Sequence, residues 1–318
     1  MQNQNSSMRR SSFLITPFFY LISYFLFLTS SCSNAPKKQG GKLKILATTG
    51  MVGDAAKNLL GQLAEVEVLM GPGVDPHLYK ASQGDMVKLS DADIIIYSGH
   101  HLEGKMTDIF EKMGKTKPVL PLSEYISENK LLKSADGNGT IDPHLWMDIK
   151  TWSQGIAGIA DTLKGLFPND TALIGNNYRT YSDDLLKTDK EVGELIATIP
   201  MESRVLITSH DAFRYYGLAY NIEVKGLQGI STVSEYGLQD VSNMVNFIVS
   251  RNIKAVFIET SVSEKSLQAV IEGCNSKGHK IKIGGTLFSD AMGANGTPEG
   301  TYKGMILHNT KLIVNALR

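Results

Sequence analysis

The sequence predicts an α/β protein of two lobes, each a mainly parallel four-stranded sheet flanked by helices, joined by one long rigid helix. Three observations carry this reading. From Lys42 onward, short β-branched runs alternate with longer segments of helical periodicity, the order that gives parallel strands covered on both faces. The alternation stops near Phe167 and resumes at Arg204. Between them Asp170–Ile199 runs for about 30 residues without proline, bracketed by Pro168 and Pro200. At 1.5 Å per residue such a helix is on the order of 45 Å long, longer than a small domain is wide, so it reads as a strut.

In the first lobe (43–168), LKILATT (Leu43–Thr49) is strand-like and MVGDAAKNLLG helical. VEVLM (Val66–Met70) is a strand, followed by a Gly-Pro-Gly turn and then a helix over Tyr79–Ser90. Asp93–Gly99 (DIIIYSG) is a buried strand, Leu102–Met113 a helix and Pro118–Leu122 the fourth strand. Ser123–Thr140, with Asp136-Gly-Asn-Gly139, is a surface loop, and Asp148–Leu166 a helix. The strut occupies 169–200. In the second lobe (201–318), strands at Arg204–Ser209, VKGLQG, Ala255–Thr260 and Lys280–Gly285 alternate with helices at DAFRYYGLAY, Leu238–Arg251 and Glu264–Lys277. Tyr302–Leu317 is the closing helix.

The 318 residues, 42% hydrophobic and 20% charged, can bury a sizeable core, and length alone suggests two domains. Lys+Arg and Asp+Glu both count 32, so no basic surplus points to nucleic acid. Residues 1–31 read as an export signal: Arg9 and Arg10 precede an apolar run, Phe13–Leu28, that closes on Thr29-Ser30-Ser31. The run is short for a membrane span and is interrupted by Pro17 and Ser23. Cys32 directly after small residues resembles a lipobox, loosely because Leu28 lies four residues before it. A lipid-modified Cys32 is the favoured expectation; plain secretion and a retained anchor are the alternatives. Ser33–Lys42 reads as a flexible tether. After processing, Cys274 is the only thiol, so no intramolecular disulfide is expected, and its helical setting favours an inert buried residue.

The tetrapeptide Asp-Pro-His-Leu occurs twice, at 75–78 and 142–145, placing His77 and His144 67 positions apart. Proline fixes one backbone angle ahead of each histidine, and the aspartate is a plausible anchor for an imidazole N–H. A single loop histidine is ordinarily a surface or capping residue; two in identical rigid frames leave the ligand reading equally open. His210 follows RVLITS, and Asp290 follows KIKIGGTLF, so these side chains fall beyond strand ends, where α/β sheets bind ligands. Glu259 ends an apolar strand and must be paired or lie near a cation. His100 and His101 are adjacent beside Glu103, so at most one can face a site; His279 and His308 read as solvent-facing or structural. No dinucleotide or phosphate loop, nucleophile elbow, Cys-x-x-Cys or His-Glu-x-x-His occurs.

GVDPHLYKAS, HHLEGKM, IDPHLWMD, TSHDAFRYYG, LQGISTVSE, VFIETS and GGTLFSDAMG, in this order over Lys42–Arg318, together resemble the cluster A-I (TroA-like) metal-binding proteins of zinc and manganese ABC importers. The resemblance implies that His77 and His144 are metal ligands from the first lobe, and that His210 and Asp290 complete the site from the second. It implies two four-stranded lobes spanned by one helix, with Zn2+ (or Mn2+) in the cleft as transported ligand. The implied partners are an ABC permease with its ATPase and, through the lipid anchor, the membrane; a monomer is expected. An adhesin-like surface role would be compatible with this.

Manganese-specific relatives typically carry Glu where this chain has His210, and an imidazole-rich shell favours zinc. Dedicated zinc binders often carry a His-rich loop, whereas Ser123–Thr140 has no histidine. Zinc is therefore favoured, with manganese next. Binding needs deprotonated imidazoles, so affinity should fall as pH drops through about 6.5. The alternative is a secreted zinc-dependent hydrolase using three of these ligands, with Glu259 as the only obvious base. Four protein ligands leave no open position for water, so the expectation is a binding protein rather than an enzyme.

Overall fold

The computed structural model describes residues 42–134 and 139–318; the expected signal, Cys32 and the tether up to residue 41 lie outside the described residues, as does 135–138 of the surface loop. The first sheet contains β1 (Leu43–Ala47), β2 (Ala64–Val68), β3 (Ile94–Tyr97) and β4 (Val119–Pro121), ordered β2-β1-β3-β4. The second contains β5 (Val205–His210), β6 (Glu223–Gln228), β7 (Ala255–Glu259) and β8 (Lys282–Leu287), ordered β6-β5-β7-β8. Every pairing is parallel, so both lobes share one winding order, as the alternating pattern requires.

The intervening helices are α1 (Gly50–Leu60), α2 (Gln83–Asp91), α3 (Thr107–Met113), α4 (Ile149–Leu166) and α5 (Thr171–Ala197), then α6 (Arg214–Tyr220), α7 (Leu238–Ser250), α8 (Lys265–Ser276) and α9 (Tyr302–Leu317). The strut α5 is 27 residues, hence about 40 Å long. It buries Ile174, Tyr181, Leu185, Thr188, Val192 and Ile196, one stripe at helical spacing. Its polar residues reach both lobes. Tyr181 donates to Asp54 on α1 at 2.7 Å, and Asp184 accepts from Lys303 on α9 at 2.6 Å.

Strand periodicity decides where the cores lie. Leu43, Ile45 and Ala47 of β1 point to one face and Leu46 to the other. The first face joins the strut, Phe257 and much of α9 in a single apolar cluster that runs through both lobes. Separate clusters cover the outer faces: Leu46, Leu89, Ile95 and Phe110 on the first lobe, Ile207, Val245, Val256 and Val270 on the second. Among the described residues, no helix is long and apolar enough to cross a membrane.

Several boundaries differ from expectation for local reasons. β2 starts two residues early because it pairs from Leu43 opposite Ala64; Leu69 and Met70 still donate to Ala47 and Thr48. The helix expected from Tyr79 begins at Gln83, because Ser82 and Asp85 form a reciprocal cap and Asp85 also accepts the Tyr79 hydroxyl. The segment from Leu102 first makes a 3-10 turn, Gly104–Met106, and only then α3. β8 lies two residues later than expected, with a register shift opposite Val256/Phe257. His210 is the last residue of β5 rather than the residue after it.

Candidate metal centre

Four chain segments deliver one side chain each to a common point. His77 comes from the loop after β2, where Gly73 at φ 73° supplies the left-handed residue of the turn. His144 precedes the turn that leads into α4, His210 ends β5, and Asp290 follows β8. All four are buried, and their ligating atoms lie within 4.8 Å of one another. His77 Nε2 is 3.4 Å from His144 Nε2. The Asp290 carboxylate lies 3.4 Å from His144 Nε2, 3.2 Å from His210 Nε2 and 3.7 Å from His77 Nε2. Neither Asp290 oxygen makes a hydrogen bond, nor does His210 Nε2, although all are shut away from solvent. Buried polar atoms without partners are costly, so the centre has the chemistry of a cation site.

The surrounding groups orient the rings. Asp142 lies 2.7 Å from His144 Nδ1, which turns Nε2 toward the centre. Glu259 does the same for His210: Oε1 accepts the His210 backbone N–H at 2.9 Å, and Oε2 makes a 2.5 Å charge contact with Nδ1 outside hydrogen-bond angles. Glu259 is thus paired, as its burial demands. Asp75 matches Asp142 in holding its histidine's backbone N–H, a 3.1 Å bond in the second loop, but differs at the ring. Its Oδ1 accepts the backbone N–H of His77 at 2.8 Å, its Oδ2 accepts the Thr232 hydroxyl from the other lobe at 2.6 Å, and it leaves the imidazole alone.

These environments pull the titrations apart. Burial drives the His77 imidazole down to about 3, the attraction of Asp290 being too weak to offset it. Burial also opposes charge on His144, but Asp142 and then Asp290 overcome it and push the ring up to about 9. His210 is held well above its usual range: burial is again outweighed, here by Glu259 and Asp290. Asp290 is well below the carboxylate range, because the His210 and His144 charges outweigh burial. The expected onset of acid sensitivity near 6.5 therefore moves upward, since an incoming cation displaces protons held more tightly than an ordinary histidine holds them.

The remaining histidines stand apart from this cluster. His100 and His101 both adopt left-handed backbone, φ 45° and 62°, and neither joins the four ligating atoms. Glu103 beneath them accepts from Thr48 Oγ1, Ser98 N and Gly99 N, which fixes the turn. His279 Nε2 bonds the Ile253 carbonyl, and His308 pairs with Glu299 and packs on Phe288. Cys274 is a free, buried thiol. Sequence reasoning missed the residues that tie the lobes at the site. Trp146 Nε1 donates to the Ser289 carbonyl at 2.9 Å, one residue before Asp290, and the Tyr215 hydroxyl donates to the Asp142 carbonyl at 3.1 Å. Both sit in motifs the sequence displays, but their partners are far along the chain.

The family model described as zinc-uptake complex component A periplasmic (ZnuA) matches residues 45–316. The chain belongs to this family. Within it, the manganese-binding lipoprotein MntA of Bacillus subtilis is 47% identical over 298 residues, covering 94% of this chain and 97% of its own length. The zinc-binding protein TroA of Treponema pallidum is 43% identical over 277 residues, covering 87% and 89%. The solved structure of the periplasmic zinc-binding TroA superposes with a TM-score of 0.84 over 87% of this chain and 99% of that one. The two-lobed fold with its strut is therefore the family's.

Proposed function

We propose that this protein is an extracytoplasmic solute-binding component that captures a divalent transition metal between its lobes and delivers it to an ABC importer. The observation that carries the reading is the buried meeting of His77, His144, His210 and Asp290, with both Asp290 oxygens and His210 Nε2 lacking any hydrogen bond. Three imidazoles and one carboxylate replace the water of the captured ion, two donors from each lobe. Zinc suits this nitrogen-rich, four-donor set best and manganese next. Relatives whose names carry each metal support both ions as cargo. The hydrolase alternative loses its base, because Glu259 is engaged by His210.

The lobes span 43–168 and 201–318 around the 169–200 strut. Cys32 is the lipid-attachment residue that keeps the protein at the membrane beside its permease and ATPase, and the protein acts as a monomer. Metal analysis of purified protein tests the assignment: wild type should hold one equivalent of zinc and melt at higher temperature when loaded, whereas His210→Ala and Asp290→Ala should lose the ion. Full stoichiometric metal in both variants would overturn it.

A further inference from the structure

We propose that the hydrogen bond from Thr232 to Asp75 is a latch across the cleft, and that Thr232 governs how fast the captured ion leaves. The inference rests on the metal-capture reading. Thr232 lies between β6 and α7 in the second lobe, and Asp75 lies two residues before His77 in the first. The 2.6 Å bond joins positions 157 apart in sequence, and Thr232 is buried. The other oxygen of the same carboxylate holds the His77 backbone N–H at 2.8 Å. One side chain therefore grips both the loop that presents a ligand and the opposite lobe.

The grip continues on the far side. The Thr232 carbonyl accepts Gln228 Nε2 at 3.0 Å, and the same amide reaches the Ser234 carbonyl at 2.5 Å. Gln228 is the last residue of β6 and stands in register with His210 on β5. An unbroken line of contacts thus runs from His77 through Asp75, Thr232 and Gln228 to His210 without passing through the ion. The segment bearing Thr232 also walls the approach. Gly229, Ile230, Ser231 and Ser234 line a cavity of about 500 Å³ that reaches His77, with His100 and His101 also lining it.

The contrast with the second tetrapeptide isolates the feature. Asp142 gives its carboxylate to its own histidine ring and to Arg214 at 3.5 Å. That long contact is the Asp142 carboxylate's link to the second lobe, whereas Asp75 crosses by the short 2.6 Å bond from Thr232 and leaves its own ring free. A hydrogen bond to a half-buried carboxylate resists breaking, and this one must break before the segment can lift off the His77 loop. It touches no ligating atom, so removing it leaves the four donors in place.

Release of zinc into excess chelator, followed by stopped flow on the full chain, tests the latch. Thr232→Val, which keeps the shape and deletes the hydroxyl, should release zinc roughly ten-fold faster while still binding one equivalent, the size expected for losing one charge-assisted hydrogen bond. Thr232→Ser should restore the wild-type rate, which a purely packing role would not do. Thr232→Ala reads the same outcome should the valine variant lose its fold. A release rate within two-fold of wild type for the hydroxyl-free variants, with zinc bound stoichiometrically, overturns the latch alone. Wild-type protein that takes up no ion overturns the capture reading and the latch with it.

Discussion

The two Asp-Pro-His-Leu loops share four residues and each brings a histidine into the cluster, and both aspartates hold their histidine's backbone N–H, yet they treat the imidazoles differently. In the second, Asp142 binds the imidazole, and His144 sits at about 9. In the first, Asp75 holds the His77 backbone N–H and the Thr232 hydroxyl but not the ring; burial leads the effects on His77, which sits at about 3. Identical local sequence thus yields one ring pushed above the usual histidine range and one pushed below it. The frame set by proline is local, but the electrostatics come from whatever the fold places on the far side of each carboxylate.

The sharpest way to break this contrast is to delete each aspartate. Asp142→Ala frees a buried imidazole from its orienting acceptor and should weaken zinc binding about 100-fold. Asp75→Ala leaves the His77 ring contacts untouched and should cost about ten-fold, through the lost tie to Thr232. Chelator-competition titration measures both, and equal losses would erase the distinction. Titrating affinity against pH sharpens it further. Because His144 and His210 are raised in the metal-free protein, an ion must displace their protons. Affinity should therefore fall as pH drops below about 9, by up to roughly ten-fold per pH unit per proton. His77, already neutral, adds nothing until about pH 3. In Asp142→Ala the onset should shift toward lower pH, as calorimetric titration in several buffers would show. The smallest effect is structural. Tyr215→Phe removes a hydroxyl that donates to the Asp142 carbonyl and accepts from Leu132 N at 2.9 Å. It should cost about 1–2 kcal/mol and lower the melting temperature by a few degrees, leaving the first loop unaffected.

What was legible in the sequence follows the range of each interaction. The β-branched runs gave all eight strands, because side-chain alternation is a local pattern, and the proline-bracketed run gave the strut to within about three residues at either end. The four clustered side chains were found through motifs that each hold one of them. Thr232 was not found, although LQGISTVSE stood out, because nothing near position 232 encodes a partner 157 residues away. The start of α2 was misplaced for the same kind of reason at short range: Asp85 serves Ser82 and Tyr79 together, and helical periodicity cannot see a cap that outcompetes it.

The apolar cluster that passes from β1 through α5 to α9 has a consequence for how the molecule comes apart. Two sheets with their own helices invite the idea of two units that melt separately, yet the inner face of each sheet is completed by the strut and by residues from the other half. Cutting the chain within α5 would expose that shared face on both fragments. The lobes are two in architecture but one in cooperativity, and heat should undo them together.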